Sequence, residues 1–184
     1  MIHNTPKQYG AVARALHWWS AALFFILFAL GLYMTDLDKS DPNRANLIQL
    51  HISLGILIFG MTLIRIYWKI KEVQPTPPAT MTPLQIKLAK SMYGTLYLLL
   101  LVIPVAGYVI VTADGHNPSF FGLLELPNFI GKNEALEEAA EETHEILAFT
   151  AMALVGGHIL MALKHHFVDK DEALLQMLGK VEEK

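Results

Sequence analysis

The chain has 184 residues, enough for one domain with a substantial core, and 53% of them are hydrophobic with a mean hydropathy of +0.38. That is well above the soluble average and marks a membrane protein, expected to form a single domain over residues 1–184. There is no cysteine, which excludes disulfides, thiolate zinc sites, iron–sulfur clusters and covalent CxxCH haem attachment together. Any bound metal must be held by histidine or oxygen; the net charge of -3 does not by itself identify a partner, and no nucleic-acid partner is expected.

In chain order, the first apolar stretch follows Arg14 and runs from Leu16 to Met34, longer than a signal-peptide core and without a convincing cleavage site, so it is kept as a mature span. A bilayer core of about 30 Å needs roughly 20 apolar residues per helix, and four segments come close: about 15–34, 48–68, 92–113 and 145–166. The expected fold is therefore an all-α membrane protein, a bundle of four transmembrane helices. Between the spans lie a polar segment from Thr35 to Asn46, a stretch from Lys69 to Lys90 with Pro75, Pro77, Pro78 and Pro83, and a segment from Asp114 to Thr143. Pro104 and Gly107 inside the third span predict a kink, either for packing or to make room for a large cofactor. The acidic run from Glu134 to Glu145 reads as a short amphipathic, solvated helix leading into the fourth span.

Of the basic residues, the N-terminus, the second loop and the C-terminus hold all but Lys39, Arg44 and Lys132. By the positive-inside rule both termini face the cytoplasm. Trp18, Trp19, Tyr67 and Trp68 then lie at the cytoplasmic interface, as membrane anchors do.

Ionisable side chains are costly inside a bilayer and usually mark function, yet His17, His51, His144 and His158 lie within or at the ends of the spans. One such histidine is commonly a hydrogen-bonded structural residue; four on three helices favour cofactor ligation. His144 and His158 are 14 residues apart, which on a helix means about 21 Å in height and about 40° around the axis. One helix therefore serves two stacked haems. Because consecutive spans run antiparallel, His51 is expected to face His144 on the outer side, and His17 to face His158 on the inner side. Two neutral imidazoles on one iron give a six-coordinate centre suited to electron transfer rather than oxygen binding. Gly55, Gly156 and Gly157 beside these positions either admit a porphyrin or allow close helix packing. Arg14 and Arg65 are expected either to pair with haem propionates or to snorkel to the headgroups. His165, near the face of His158, is a reserve ligand, or with Lys164 and His166 forms an interfacial cluster able to hydrogen-bond a quinone or meet an anionic membrane lipid. His3 and His116 are read as non-ligands.

With those residues in view, the chain resembles the prokaryotic cytochrome b561 family of four-helix, di-haem inner-membrane proteins, over nearly its whole length. The likeness is carried by Ala15-Leu16-His17-Trp18, by His51-Ile52-Ser53-Leu54-Gly55 running to Arg65, and by Gly115-His116-Asn117-Pro118 before Phe120-Phe121-Gly122. Glu142-Thr143-His144-Glu145 and His158 with Lys164-His165-His166-Phe167 complete it. The resemblance implies two haem b groups with His17, His51, His144 and His158 as axial ligands, and electron exchange with ubiquinone, in some members from superoxide. Relatives often carry a histidine where this chain has Tyr93, and tyrosine can still hydrogen-bond a quinone oxygen.

Three functions follow as expectations. The first is a superoxide:quinone oxidoreductase, although the outer loops, counted through Glu145, carry three basic against eleven acidic residues, a field that opposes an anion. The second is a cytochrome b subunit serving a periplasmic redox protein, with no substrate selection of its own; an acidic face suits a basic partner. The third is a proton path or metal-transport site without haem.

Overall fold

The computed structural model describes residues 1–181. Four long helices dominate: α1 (Ala11–Asp36), α2 (Arg44–Lys71), α3 (Pro83–Ala113) and α4 (Glu134–Lys164). All four are long and apolar enough to cross a membrane, which agrees with the expected all-α, four-span fold. One π turn, His165–Asp169, extends α4, and a short α5 (Ala173–Leu178) follows it. The chain separates into two compact units, one of Met1–Trp19, Leu63–Leu98 and Ala151–Lys184, the other of Ser20–Thr62 and Leu99–Thr150.

The third and fourth helices begin well before their apolar stretches because their polar N-terminal ends are capped. Thr82 and Gln85 form a capping box at the start of α3: the Gln85 N–H donates to Thr82 Oγ1 at 3.3 Å and the Thr82 N–H to Gln85 Oε1 at 2.7 Å. Pro83, lacking an N–H, occupies the first helical position where none is needed. Asn133 caps α4 through Oδ1, which accepts from the Leu136 N–H at 3.1 Å, and Glu134 and Glu137 complement the helix dipole in the first turn. The acidic run thus forms the opening turns of α4 itself rather than a separate short helix, since nothing between Glu145 and the apolar stretch breaks the helix.

Burial runs opposite to a soluble protein. Large apolar side chains such as Phe25, Ile26, Leu63 and Ile64 point outward, while Ser20, Ser53, Thr62 and Thr112 are almost fully buried. Small residues let helices approach closely, and three of these hydroxyls donate to carbonyls one turn back on their own helix: Ser53 to Gln49, Thr62 to Ile58 and Thr112 to Tyr108.

Between α3 and α4, β1 (Ser119–Phe120) and β2 (Leu124–Glu125) pair antiparallel around a tip with Phe121 at φ 51° and Gly122 at φ 70°. Two successive positive φ values give the hairpin turn whose twist matches the strands. The hairpin is fastened to α2 next to His51: Gln49 Nε2 donates to the Ser119 carbonyl at 2.6 Å, and Ser53 Oγ accepts the Phe121 N–H at 2.9 Å.

Candidate haem-binding site

Two imidazole pairs form, one in each compact unit. We call them inner and outer after the positive-inside reading. In the inner pair the ring centroids of His17 and His158 are 6.4 Å apart; in the outer pair those of His51 and His144 are 6.2 Å apart. An imidazole nitrogen lies about 2 Å from a first-row metal and roughly 1 Å from its own centroid, so one iron between two imidazoles requires about 6 Å between centroids. Edge-to-face ring contacts span the same range, so the separation admits an iron and the surroundings of the rings argue for one.

At the outer pair, His144 Nδ1–H donates to the Ile103 carbonyl at 2.9 Å, which fixes the tautomer and leaves Nε2 with its lone pair for a metal. That carbonyl precedes Pro104, whose missing N–H interrupts the α3 ladder. His51 Nδ1 is buried without a hydrogen-bond partner, as an atom of a site made for a further group can be. A cavity beside these rings is lined by Phe24, Leu27, Phe28, Leu100 and Ala148, an apolar surround suited to a porphyrin face. Gly31 and Gly107 back onto the rings: a Cβ on Gly31 would lie 3.4 Å from His51 Cε1, and one on Gly107 3.3 Å from His144 Cε1. Gly55 borders the same cavity, and a Cβ there, or on Gly156 or Gly157, would meet nothing within 4 Å. These three glycines therefore border open space rather than a tight helix contact.

At the inner pair, Arg65 Nη2 donates to His17 Nδ1 at 3.2 Å, and its guanidinium lies 5.1 Å from the Tyr97 ring centroid. Lys69 Nζ lies 4.9 Å from the same ring. Tyr93 meets His158 edge to face, centroids 5.9 Å apart. Tyr9 completes the group; burial first, and then the Tyr93 and Tyr97 phenols, push its hydroxyl up to about 12, so it is a protonated donor at any physiological pH.

The remaining residues singled out from sequence have other partners. Arg14 donates from Nη1 to the Leu178 carbonyl at 2.9 Å, capping α5, and a Cβ on Gly179 would collide with its guanidinium. Lys164 Nζ is held by both oxygens of Asp169, at 2.9 and 2.7 Å. Buried His165 donates from Nδ1 to Asp171 at 2.7 Å, with Asp169 at 3.1 Å, and Asp171 also accepts from Thr80 Oγ1. Burial pushes the Asp171 carboxyl up, but the Ala173 N–H, His165 and Thr80 outweigh it and hold it below the usual carboxylate value. His3 pairs with Glu72 and His116 with Asp114, at 2.8 Å each.

Sequence reasoning missed Gly31, Asp169 and Asp171. The signals were present: Gly31 lies 14 residues after His17, and two aspartates follow within five residues of the Lys164-His165-His166 cluster.

The fit to haem agrees with the comparisons. The family model described as prokaryotic cytochrome b561 matches residues 8–180. "Cytochrome b561 homolog 2" of Escherichia coli K12 is 40% identical over 177 residues, covering 96% of this chain and 94% of that one. "Probable superoxide oxidase CybB" of Yersinia pestis is 29% identical over 178 residues, covering 95% and 97%. "Cytochrome b561 homolog 1" of Escherichia coli K12 is 28% identical over 169 residues, covering 90% and 93%. The chain thus belongs to the prokaryotic cytochrome b561 family: a multi-pass bacterial inner-membrane cytochrome that binds haem b and transfers electrons.

Proposed function

We infer that the chain is one domain carrying two haem b groups, one at each histidine pair, and that it passes electrons from a donor on the periplasmic side to quinone near the cytoplasmic face. The observation that carries this reading is the repeated pairing of imidazoles, 6.4 and 6.2 Å apart, the outer pair beside an apolar cavity. His17 with His158 and His51 with His144 would hold the two groups, and haem would supply a one-electron iron couple there. The chain's own residues supply the rest. The Ile103 carbonyl orients His144, apolar side chains line the outer cavity, and Tyr93 beside His158 offers a hydroxyl for a quinone oxygen on the inner side.

Superoxide as donor is supported by the printed name of the Yersinia relative. The acidic outer loops, with eleven acidic against three basic residues, favour a second reading in which a basic periplasmic redox protein docks there. Haem per chain by pyridine haemochrome, with reduced-minus-oxidised spectra, tests the two-haem reading: two low-spin b haems are expected, and a count of one or none overturns it. Superoxide consumption with a soluble quinone then separates the donors. A rate no faster than the quinone-only control sinks the superoxide reading.

A further inference from the structure

Resting on the two-haem reading above, we propose that Arg65 makes the inner haem the higher-potential one, so that the inner pair is the electron sink and transfer runs inward. The two pairs differ most in charge. Arg65 reaches to 3.2 Å from His17 Nδ1, and Tyr97 holds both the Arg65 guanidinium and the Lys69 ammonium against its ring. Around the outer pair the described cavity lining is apolar apart from the two histidines, and the orienting group is a neutral carbonyl.

A fixed positive charge in a low-dielectric site favours the form that holds the extra electron, and the effect is far weaker in water. Guanidinium stays protonated at any physiological pH, so this bias does not titrate away. An arginine within a span is costly and usually faces a partner inside the bundle. Arg65 turns to the histidine rather than wholly to the headgroups.

Tautomer chemistry sharpens the role. Guanidinium only donates, so in this structure His17 Nδ1 must accept. Once Nε2 of a neutral His17 binds iron, its single proton resides on Nδ1 and that acceptor is lost. Arg65 then needs another acceptor, and the carboxylates a haem brings match its fork. In either arrangement the positive charge remains beside the inner haem. The transfer it would bias is one electron from a ferrous haem at the outer pair to a ferric haem at the inner pair, with no bond made or broken and no proton required.

Potentiometric titration of each haem by its optical bands tests this, with His158→Ala and His144→Ala proteins assigning the two bands. Haem per chain is measured first, because fewer than two haems overturns the two-haem reading itself. With two haems present, wild-type protein should show the inner haem reduced first. Arg65→Gln should move the inner equilibrium at least tenfold toward the oxidised form, which is 59 mV for a one-electron couple, and leave the outer one unmoved. Arg65→Lys, which keeps the charge, should keep most of the wild-type value. Two unchanged midpoints in Arg65→Gln overturn the proposal while leaving the two-haem reading intact. Should Arg65→Gln lose its inner haem, the wild-type order decides: inner not above outer overturns it, and inner above outer with Arg65→Lys preserving that order supports it.

Discussion

At the outer pair the two helices that supply no histidine bring glycines, Gly31 and Gly107; at the inner pair the corresponding helices bring Arg65 and Tyr93. Every long helix contributes one residue to each pair, and the two are always 14 residues apart: His17 and Gly31, His51 and Arg65, Tyr93 and Gly107, His144 and His158. Fourteen residues are close to four turns, so both positions fall near one stripe of each helix. One spacing therefore builds both sites, and the residue types on it make one roomy and neutral and the other crowded and charged.

The largest expected effect comes from breaking one pair alone. His144→Ala should remove the outer haem and leave the inner, taking haem per chain from two to one, and His158→Ala should do the converse. A variant that keeps both would move the ligand assignment, for the inner pair to His165. Next is the glycine wall. The Cβ distance of 3.3 Å at Gly107 is already tight, so Gly107→Val should push the His144 ring aside and lower outer-haem occupancy severalfold. Gly156→Ala, whose Cβ meets nothing, should bind haem as wild type does; equal losses in both would remove the distinction drawn between walling and bordering glycines.

A smaller effect belongs to Tyr93. Tyr93→Ala deletes an edge-to-face contact with His158, worth about 0.5–1.5 kcal/mol by comparison with aromatic pairs, and should weaken inner-haem retention a few-fold while Tyr93→Phe restores it. Retention that follows the hydroxyl instead would assign Tyr93 a hydrogen-bonding role. The smallest effect is at Asp171. Its folded-state pKa lies below the ordinary value of 3.8, so its contribution is complete above that value and is lost as pH falls through the depressed pKa. Amide exchange in residues 171–181 should thus be flat from neutral pH to mildly acid and faster, after correction for intrinsic rates, only in strong acid. A change near pH 6 would place the titration elsewhere.

The spans were legible because hydropathy and length decide them, and the pairings followed because helix rise and antiparallel order fix depth. Helix ends were less legible. Apolar count stops near Met92 and Glu145, whereas the Thr82–Gln85 box and the Asn133 cap carry α3 and α4 into polar sequence. Partners of the charged residues were the hardest to read. Arg14 lies at a helix end beside a membrane, which suits a propionate or a headgroup equally, and its partner Leu178 is 164 positions away. The value of Gly31 depends on which ring lies behind it, a fact of the neighbouring helix rather than of its own.

Described residues near the two termini meet within the inner unit. The Tyr9 N–H donates to the Gln176 carbonyl, Gln176 Nε2 to the Thr76 carbonyl, and the Val181 N–H to Gln8 Oε1. For anyone purifying the protein, this makes the choice of tag a chemical one. A bulky fusion joined at Met1 would intrude where the Met1 carbonyl accepts the first amide of α1, at Ala11. A C-terminal tag faces the matching test, since it must leave Gln8 and Gln176 their partners.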